Sequence, residues 1–289
     1  MGPLRFRRLS VLAIAGALLF ALNACTVTPD SYIALGDSYT AGPLIPDQQS
    51  PLGCLRSNHN YPSLVAPTLG LAHFIDISCS GAETGEMFNP QDVTPGPANP
   101  AQLDMLSAYA KVVTIGIGGN DIGFSSIAKG CVNLDPTATP CMNKYLKPGG
   151  GDTIRDDIAA TRPKIDAVLA AARSKAPNAK IFLIGYPDIL PDTGNGCWPT
   201  VPILGPDTVF LRGIEKALNT MLADSAAANG VTFLDIYTGT IGHDACKGSN
   251  AWIESVVPGS SAAPVHPNAN GMIGIANILG PTLRAAAAS

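Results

Sequence analysis

The sequence predicts a three-layer α/β/α domain built on a doubly wound, parallel, five-stranded sheet. Three observations carry that reading. Five short β-branched or apolar runs recur along the chain, at residues 32–35, 74–77, 112–117, 180–184 and 231–236. Segments of helical apolar periodicity lie between them. The 289 residues suffice for one sizeable core, and neither an internal repeat nor a long linker divides them.

The chain opens with an address rather than a fold. Arg5, Arg7 and Arg8 stand before an apolar run from Leu9 to Ala21 with no acid among them, the pattern of a bacterial signal peptide over residues 1–24. The run is shorter than the about 20 apolar residues that a transmembrane helix needs. Leu22-Asn23-Ala24-Cys25 resembles a lipobox, with Cys25 as the lipidated new N-terminus and residues 25–30 as a tether. Ordinary cleavage after Ala24, with Cys25 left as a thiol, is the alternative. Losing three of the 18 Lys and Arg leaves 15 against 22 acids, so the exported chain carries −7.

From residue 31 to residue 285 the pattern alternates. Short apolar runs of this kind fit buried parallel strands. A helix is expected from about Asp152 to Lys175, with Ile154, Ile158, Ile165, Val168 and Leu169 on one face and Pro163 kinking or dividing it. A second begins near Pro206-Asp207 and places Leu211, Ile214, Leu218 and Leu222 on one stripe. Strands alternating with helices give right-handed crossovers and one sheet. The Pro- and Gly-rich stretches 89–100 and 187–205 are too long for turns and are expected to border the binding site. The Ala-rich end, 285–289, reads as frayed helix.

Composition excludes several functions. Only 14% of the residues are charged and none of the balance is basic, so the footprint of a nucleic-acid binder is missing. Gly keeps no triplet period and apolar residues keep no heptad. Seven Cys is an odd number; with Cys25 set aside, six remain. They form no C-x-x-C pair, and the four His are scattered, which is poor spacing for zinc. Six Cys allow fifteen pairings; order along the chain favours Cys54 with Cys79, Cys131 with Cys141, and Cys197 with Cys246.

In sheets of this kind ligands sit at the carboxyl ends of the strands. Four segments stand there or close to the C-terminus: Gly36-Asp37-Ser38-Tyr39, Ser78-Cys79-Ser80-Gly81-Ala82, Gly118-Gly119-Asn120-Asp121, and His266-Pro267-Asn268. Singly, each reads as a cap, a loop or a packed histidine. Together and in this order they resemble the SGNH hydrolase superfamily, the GDSL esterases and lipases, from about Ser31 to Leu279. Ala34-Leu35-Gly36-Asp37-Ser38-Tyr39-Thr40-Ala41-Gly42 matches its first block, with Ser38 in the nucleophile position. Gly81 falls in the second block, Asn120 in the third and His266 in the last. The six Cys, the stretch from Arg56-Ser57 to Tyr61-Pro62 and the run Gly242-His243-Asp244-Ala245-Cys246 are similar to the disulfide-rich actinobacterial branch of extracellular esterases and lipases.

The resemblance implies a cofactor-free serine esterase or lipase, and the chemistry fits these residue types. A serine hydroxyl needs a base with a pKa near neutrality, which His266 supplies. Oxyanion donors are expected from the backbone of Ser38, at a helix N-terminus, from the backbone of Gly81, and from the Asn120 amide. A Cβ at position 81 would stand in the way of substrate. One position departs from the family: the acid three residues before the histidine is replaced by Ala263. The expectation is that the Ala263 carbonyl accepts the Nδ1 hydrogen bond; a remote Asp244 or Glu254, or loss of catalysis, are the alternatives.

Other signals carry less. Gly116-Ile117-Gly118 lacks the third glycine of a dinucleotide fingerprint, and neither G-x-S-x-G nor H-E-x-x-H occurs. Trp198 and Trp252 fit either an acyl pocket or the core. The resulting expectation is a monomeric, exported ester hydrolase acting on a small-molecule or lipid ester, either tethered to the outer face of the membrane through Cys25 or secreted, with no nucleic-acid partner, no cofactor and no metal. Deacetylation or acyl transfer on envelope carbohydrate, and a weakly catalytic lipoprotein that only binds acylated ligands, are the competing readings.

Overall fold

The computed structural model describes Gly2 and residues 29–289; the leader and Cys25 lie outside the described residues. The elements run in the order β1 (Ser31–Gly36), α1 (Ser38–Ala41), β2 (Gln48–Gln49), β3 (Arg56–Ser57), α2 (Tyr61–Val65), β4 (His73–Asp76), β5 (Ala110–Gly116), α3 (Phe124–Gly130), α4 (Thr153–Lys175), β6 (Lys180–Ile184), α5 (Gly205–Ala228), β7 (Thr232–Leu234), α6 (Tyr237–Thr240) and α7 (Ala269–Ala288). Five of the strands form one parallel sheet in the order β4-β1-β5-β6-β7, and β2 and β3 form a small antiparallel pair.

Period-two alternation splits the sheet's side chains between two cores. Ile33, Leu35, Val113, Ile115, Ile181 and Leu183 point to the layer of α4 and α5, where they meet Ile158, Ile165, Leu169, Leu211, Ile214 and Leu218. Tyr32, Ala34, Val112, Phe182 and Ile184 point the other way, onto Tyr61 and Val65 of α2 and Met272, Ile275, Leu279 and Leu283 of α7. Both faces of the inner strands are therefore dry. That explains their continuous apolar runs.

Asp152 caps α4 through the Arg155 N–H, and the helix continues unbroken past Pro163. The division expected there does not occur. Pro163 and Ala159 both lie on the solvent face, so the carbonyl that loses its donor faces water. The last helix also outruns the expected frayed end, because Ala286 and Ala287 rest partly buried on the second core.

The bridges join Cys54 to Cys79, Cys131 to Cys141, and Cys197 to Cys246. The first fastens the segment after β2 to the end of β4, beside Gly81, and the Ser80 N–H also donates to the Cys54 carbonyl at 2.9 Å. Replacing Cys54 and Cys79 together by Ser is expected to lower stability by about 2–4 kcal/mol in urea unfolding, chiefly by freeing the unfolded chain. An unchanged midpoint and slope would show that this bridge adds nothing.

Candidate active site

Sheet order sets the site. Because β1 lies between β4 and β5, the ends of those three strands stand side by side, and the loops that follow carry Ser38, Gly81 and Asn120. The turn after β1 tolerates no side chain at its first position: a Cβ on Gly36 would overlap Thr40 Oγ1 and lie 2.7 Å from the Gly116 carbonyl oxygen. Buried Gln102 clamps the same residue, accepting the Gly36 N–H at 2.7 Å and donating to its carbonyl at 3.0 Å. Asp37 then caps α1 by accepting the Tyr39 N–H at 2.9 Å.

The structure brings Ser38 and His266 together across 228 residues of sequence, with Ser38 Oγ 2.7 Å from His266 Nε2. The other ring nitrogen, Nδ1, lies 2.8 Å from the Pro264 carbonyl oxygen. A carbonyl can only accept, so Nδ1 carries the proton and Nε2 presents its lone pair to the serine hydroxyl. Burial holds the imidazole pKa down at about 4, against the Pro264 hydrogen bond, which favours the charged form, and in concert with the positive charge of Lys129.

The acceptor is thus Pro264 and not Ala263. Residues 263–266 form a turn with proline second, a positive φ of 66° at Val265 third, and the Ala263 carbonyl accepting the His266 N–H at 3.2 Å. Those are the marks of a type II turn. Closing the turn occupies the Ala263 carbonyl and leaves that of Pro264 free to meet the ring. Neither remote acid touches the imidazole. Asp244 caps the Cys246 N–H. Glu254 accepts from Gly259 N–H, Ser260 Oγ and Asn268 Nδ2, pinning the loop that leads to the turn.

The groups expected to donate to an oxyanion stand at three neighbouring strand ends. Neither the Ser38 nor the Gly81 N–H has an acceptor among the described residues. Asn120 Nδ2 donates to the Ala82 carbonyl at 2.8 Å, tying the third loop to the second and leaving its other hydrogen unused. Glycine at 81 has a backbone reason: its φ is 81°, while the nearest protein atom to a Cβ would be Gln91 Nε2 at 3.7 Å. The long loop 89–100 does border this region, because Gln91 Nε2 donates to Ser80 O and Asn99 Nδ2 to Ile77 O.

Tyr186, just beyond β6, joins two of these loops. Its hydroxyl donates to Asp37 Oδ2 at 2.5 Å and accepts the Gly119 N–H at 2.7 Å. Burial raises Asp37 to about 7, with the hydrogen bonds from Tyr186 and the Tyr39 N–H opposing. From sequence alone the end of β6 offers no candidate; its place beside the other strand ends was the signal that could have found it. His243 stacks on Trp252 at 3.8 Å and meets the Asn250 carbonyl, away from Ser38. Trp198 donates to the Asn133 carbonyl. Neither tryptophan is among the residues lining the cavities beside Tyr39 and Val265.

A family model described as the GDSL-like lipase/acylhydrolase family matches residues 34–272. The chain is 36% identical to a Streptomyces coelicolor protein named Lipase 2, over 91% of each chain. It is 32% identical to a Streptomyces rimosus lipase over 90% of this chain and 88% of that one. Among solved structures, phospholipase A1 from Streptomyces albidoflavus superposes with a TM-score of 0.74 at 28% identity, covering 88% of this chain and 99% of the other. An extracellular lipase from Streptomyces rimosus gives 0.66 at 29%, covering 87% and 98%.

Tyr186→Phe removes the donor to Asp37 and the acceptor of the Gly119 N–H, leaving two buried groups unpaired. The expected loss is about 1–3 kcal/mol in urea unfolding, accompanied by a fall in ester turnover as the Asn120 loop loosens. Unchanged stability and unchanged turnover would both count against the link.

Proposed function

The chain belongs to the GDSL-like lipase/acylhydrolase family and is a carboxylic ester hydrolase of the lipase and esterase type, and on that premise we propose that Ser38 and His266 carry the reaction through an acyl-enzyme. The observation that supports this most is the 2.7 Å contact between Ser38 Oγ and a His266 Nε2 whose tautomer is set by a main-chain carbonyl. Ser38 Oγ attacks the ester carbonyl carbon while Nε2 takes the hydroxyl proton. The oxyanion that forms accepts from the Ser38 and Gly81 N–H groups and from Asn120 Nδ2. His266 then returns its proton to the departing alkoxide, the C–O bond breaks and the alcohol leaves. Water repeats the attack on the acyl group, with His266 again taking and returning the proton, and frees the acid and Ser38.

The acyl part has an apolar setting. Phe124, Ile189, Val201, Ile203, Val256 and Val265 form a mostly apolar lining beside the base, with Glu254 and Ser255 among them, and Val265 directly precedes His266. The basic and apolar leader supports export, as does the description of the Streptomyces rimosus structure as an extracellular lipase. Once exported, the domain is either tethered by lipid at Cys25 or released.

Hydrolysis of p-nitrophenyl esters of increasing acyl length tests the assignment. Ser38→Ala is expected to abolish turnover in a folded protein, and Asn120→Ala to lower kcat by about 10²–10³. Turnover that survives Ser38→Ala would refute the nucleophile. The pH profile tests the base. The free enzyme needs neutral His266, whose pKa lies at about 4 instead of 6.5, so the acid limb of kcat/KM is expected near pH 4. A limb at 6.5 would contradict it. The His266 contribution to stability moves with the same group: the unfolded chain takes up the proton first, so that contribution falls as the pH drops from 6.5 towards 4, whereas Asp37, raised to about 7 by burial, contributes with the opposite sign.

A further inference from the structure

We propose that Tyr39 is a positioning residue of the hydrolysis, holding the plane of the His266 imidazole in line with Ser38 where the family pattern would use a carboxylate. The inference rests on the Ser38–His266 reading above and adds a residue to it. Tyr39 follows the nucleophile directly, and its own N–H is fixed by Asp37 at 2.9 Å. Its ring lies against the imidazole, centroid to centroid 4.7 Å and tilted by 31°. Its hydroxyl donates to the Val265 carbonyl at 2.7 Å.

Those two contacts reach the base from different sides. The hydrogen bond to Pro264 fixes one atom of the ring but leaves the ring free to pivot about the Nδ1–O line. A stacked face removes that freedom. The hydroxyl meanwhile holds the residue whose positive φ shapes the turn and aims the Pro264 carbonyl. A β-branched residue in the left-handed region persists only where its surroundings enforce it. Here the enforcing contacts are the Tyr39 hydroxyl and the Val265 N–H, which donates to the Glu254 carbonyl at 3.1 Å. Tyr186 packs edge-on against Tyr39 at 5.1 Å, so the stack is backed by the same side chain that joins Asp37 to Gly119. When Ser38 gives up its proton, the imidazolium develops against the face of Tyr39, whose ring quadrupole favours a cation. A triad carboxylate both orients and stabilises that cation; in this chain the turn carbonyl and the tyrosine face divide the task.

Tyr39→Phe and Tyr39→Leu separate the hydroxyl from the face. Thermal unfolding is followed for each, and kcat, KM and the acid limb of kcat/KM are measured on a soluble p-nitrophenyl ester beside wild type and Ser38→Ala. Tyr39→Leu is expected to lower kcat by about 10²-fold, the cost of a misaligned catalytic group. Its KM should stay within about threefold, since the side chain acts through His266. Its acid limb should rise towards the ordinary histidine value as water reaches the ring, with Lys129 the cation that faces His266 throughout. Tyr39→Phe, which keeps the ring and the fold, is expected to lose about tenfold in kcat, the worth of one hydrogen bond, with the limb unmoved. A folded Tyr39→Leu with wild-type kcat and acid limb overturns the proposal, and if that variant fails to fold, the same result in Tyr39→Met does so; wild-type kcat in Tyr39→Phe overturns the hydroxyl's share of it. Wild-type protein without Ser38-dependent turnover overturns the Ser-His reading and this proposal together, whereas Ser38-dependent turnover that the Tyr39 variants leave unchanged overturns this proposal alone.

Discussion

A histidine with no carboxylate beside it serves as a base only if something else fixes its tautomer and its orientation, and the turn at residues 263–266 meets that need. Proline in second place and a left-handed Val265 in third commit the Ala263 carbonyl to closing the turn and expose the Pro264 carbonyl to Nδ1. The surrounding structure keeps this arrangement in place. Glu254 gathers Gly259, Ser260 and Asn268 around the loop, and Asn268 in turn caps α7 through the Gly271 N–H. His266, the proposed base, is therefore anchored to a helix whose apolar face is buried on the sheet.

Ser38, the proposed nucleophile, is anchored through the sheet itself. β1 is flanked by β4 and β5, so three loops must meet at one edge, and each is secured by a different device: a buried Gln102 at Gly36, a disulfide at Cys79, and Tyr186 at Gly119. These devices are polar or covalent because loops at strand ends have little apolar surface to bury. Asp37 illustrates the cost of such an arrangement. Its carboxyl is deeply buried and driven up to about 7, yet both of its oxygens are occupied, one by the Tyr39 N–H and one by the Tyr186 hydroxyl. That double engagement links the turn carrying Ser38 to the loop carrying Asn120.

Much of this was legible in the sequence, for identifiable reasons. The inner strands are buried on both faces, so their apolar runs stand out, and residues 180–184 coincide with β6. Ser38, Gly81 and Asn120 were expected from the family resemblance, and the structure sets the loops that carry them at neighbouring strand ends. The acceptor for His266 could not be read, because counting back three residues finds Ala263, while turn geometry moves the free carbonyl to Pro264. Whether Pro163 divides the helix could not be read either: its effect depends on which face of the helix it occupies, and that face is known only once α4 is packed. Tyr39 and Tyr186 act through contacts between elements far apart in sequence, which no local pattern records.

Ser38, activated by His266, is expected to become covalently acylated during turnover. Treating the folded protein with a fluorophosphonate at neutral pH and mapping the adduct by peptide mass spectrometry tests it most directly, because the probe reports the nucleophile whatever the natural ester is. A single adduct on the peptide containing Ser38, lost when His266 is replaced by Ala, is the predicted result. An adduct on another residue, or ester turnover by protein whose Ser38 never labels, would contradict it.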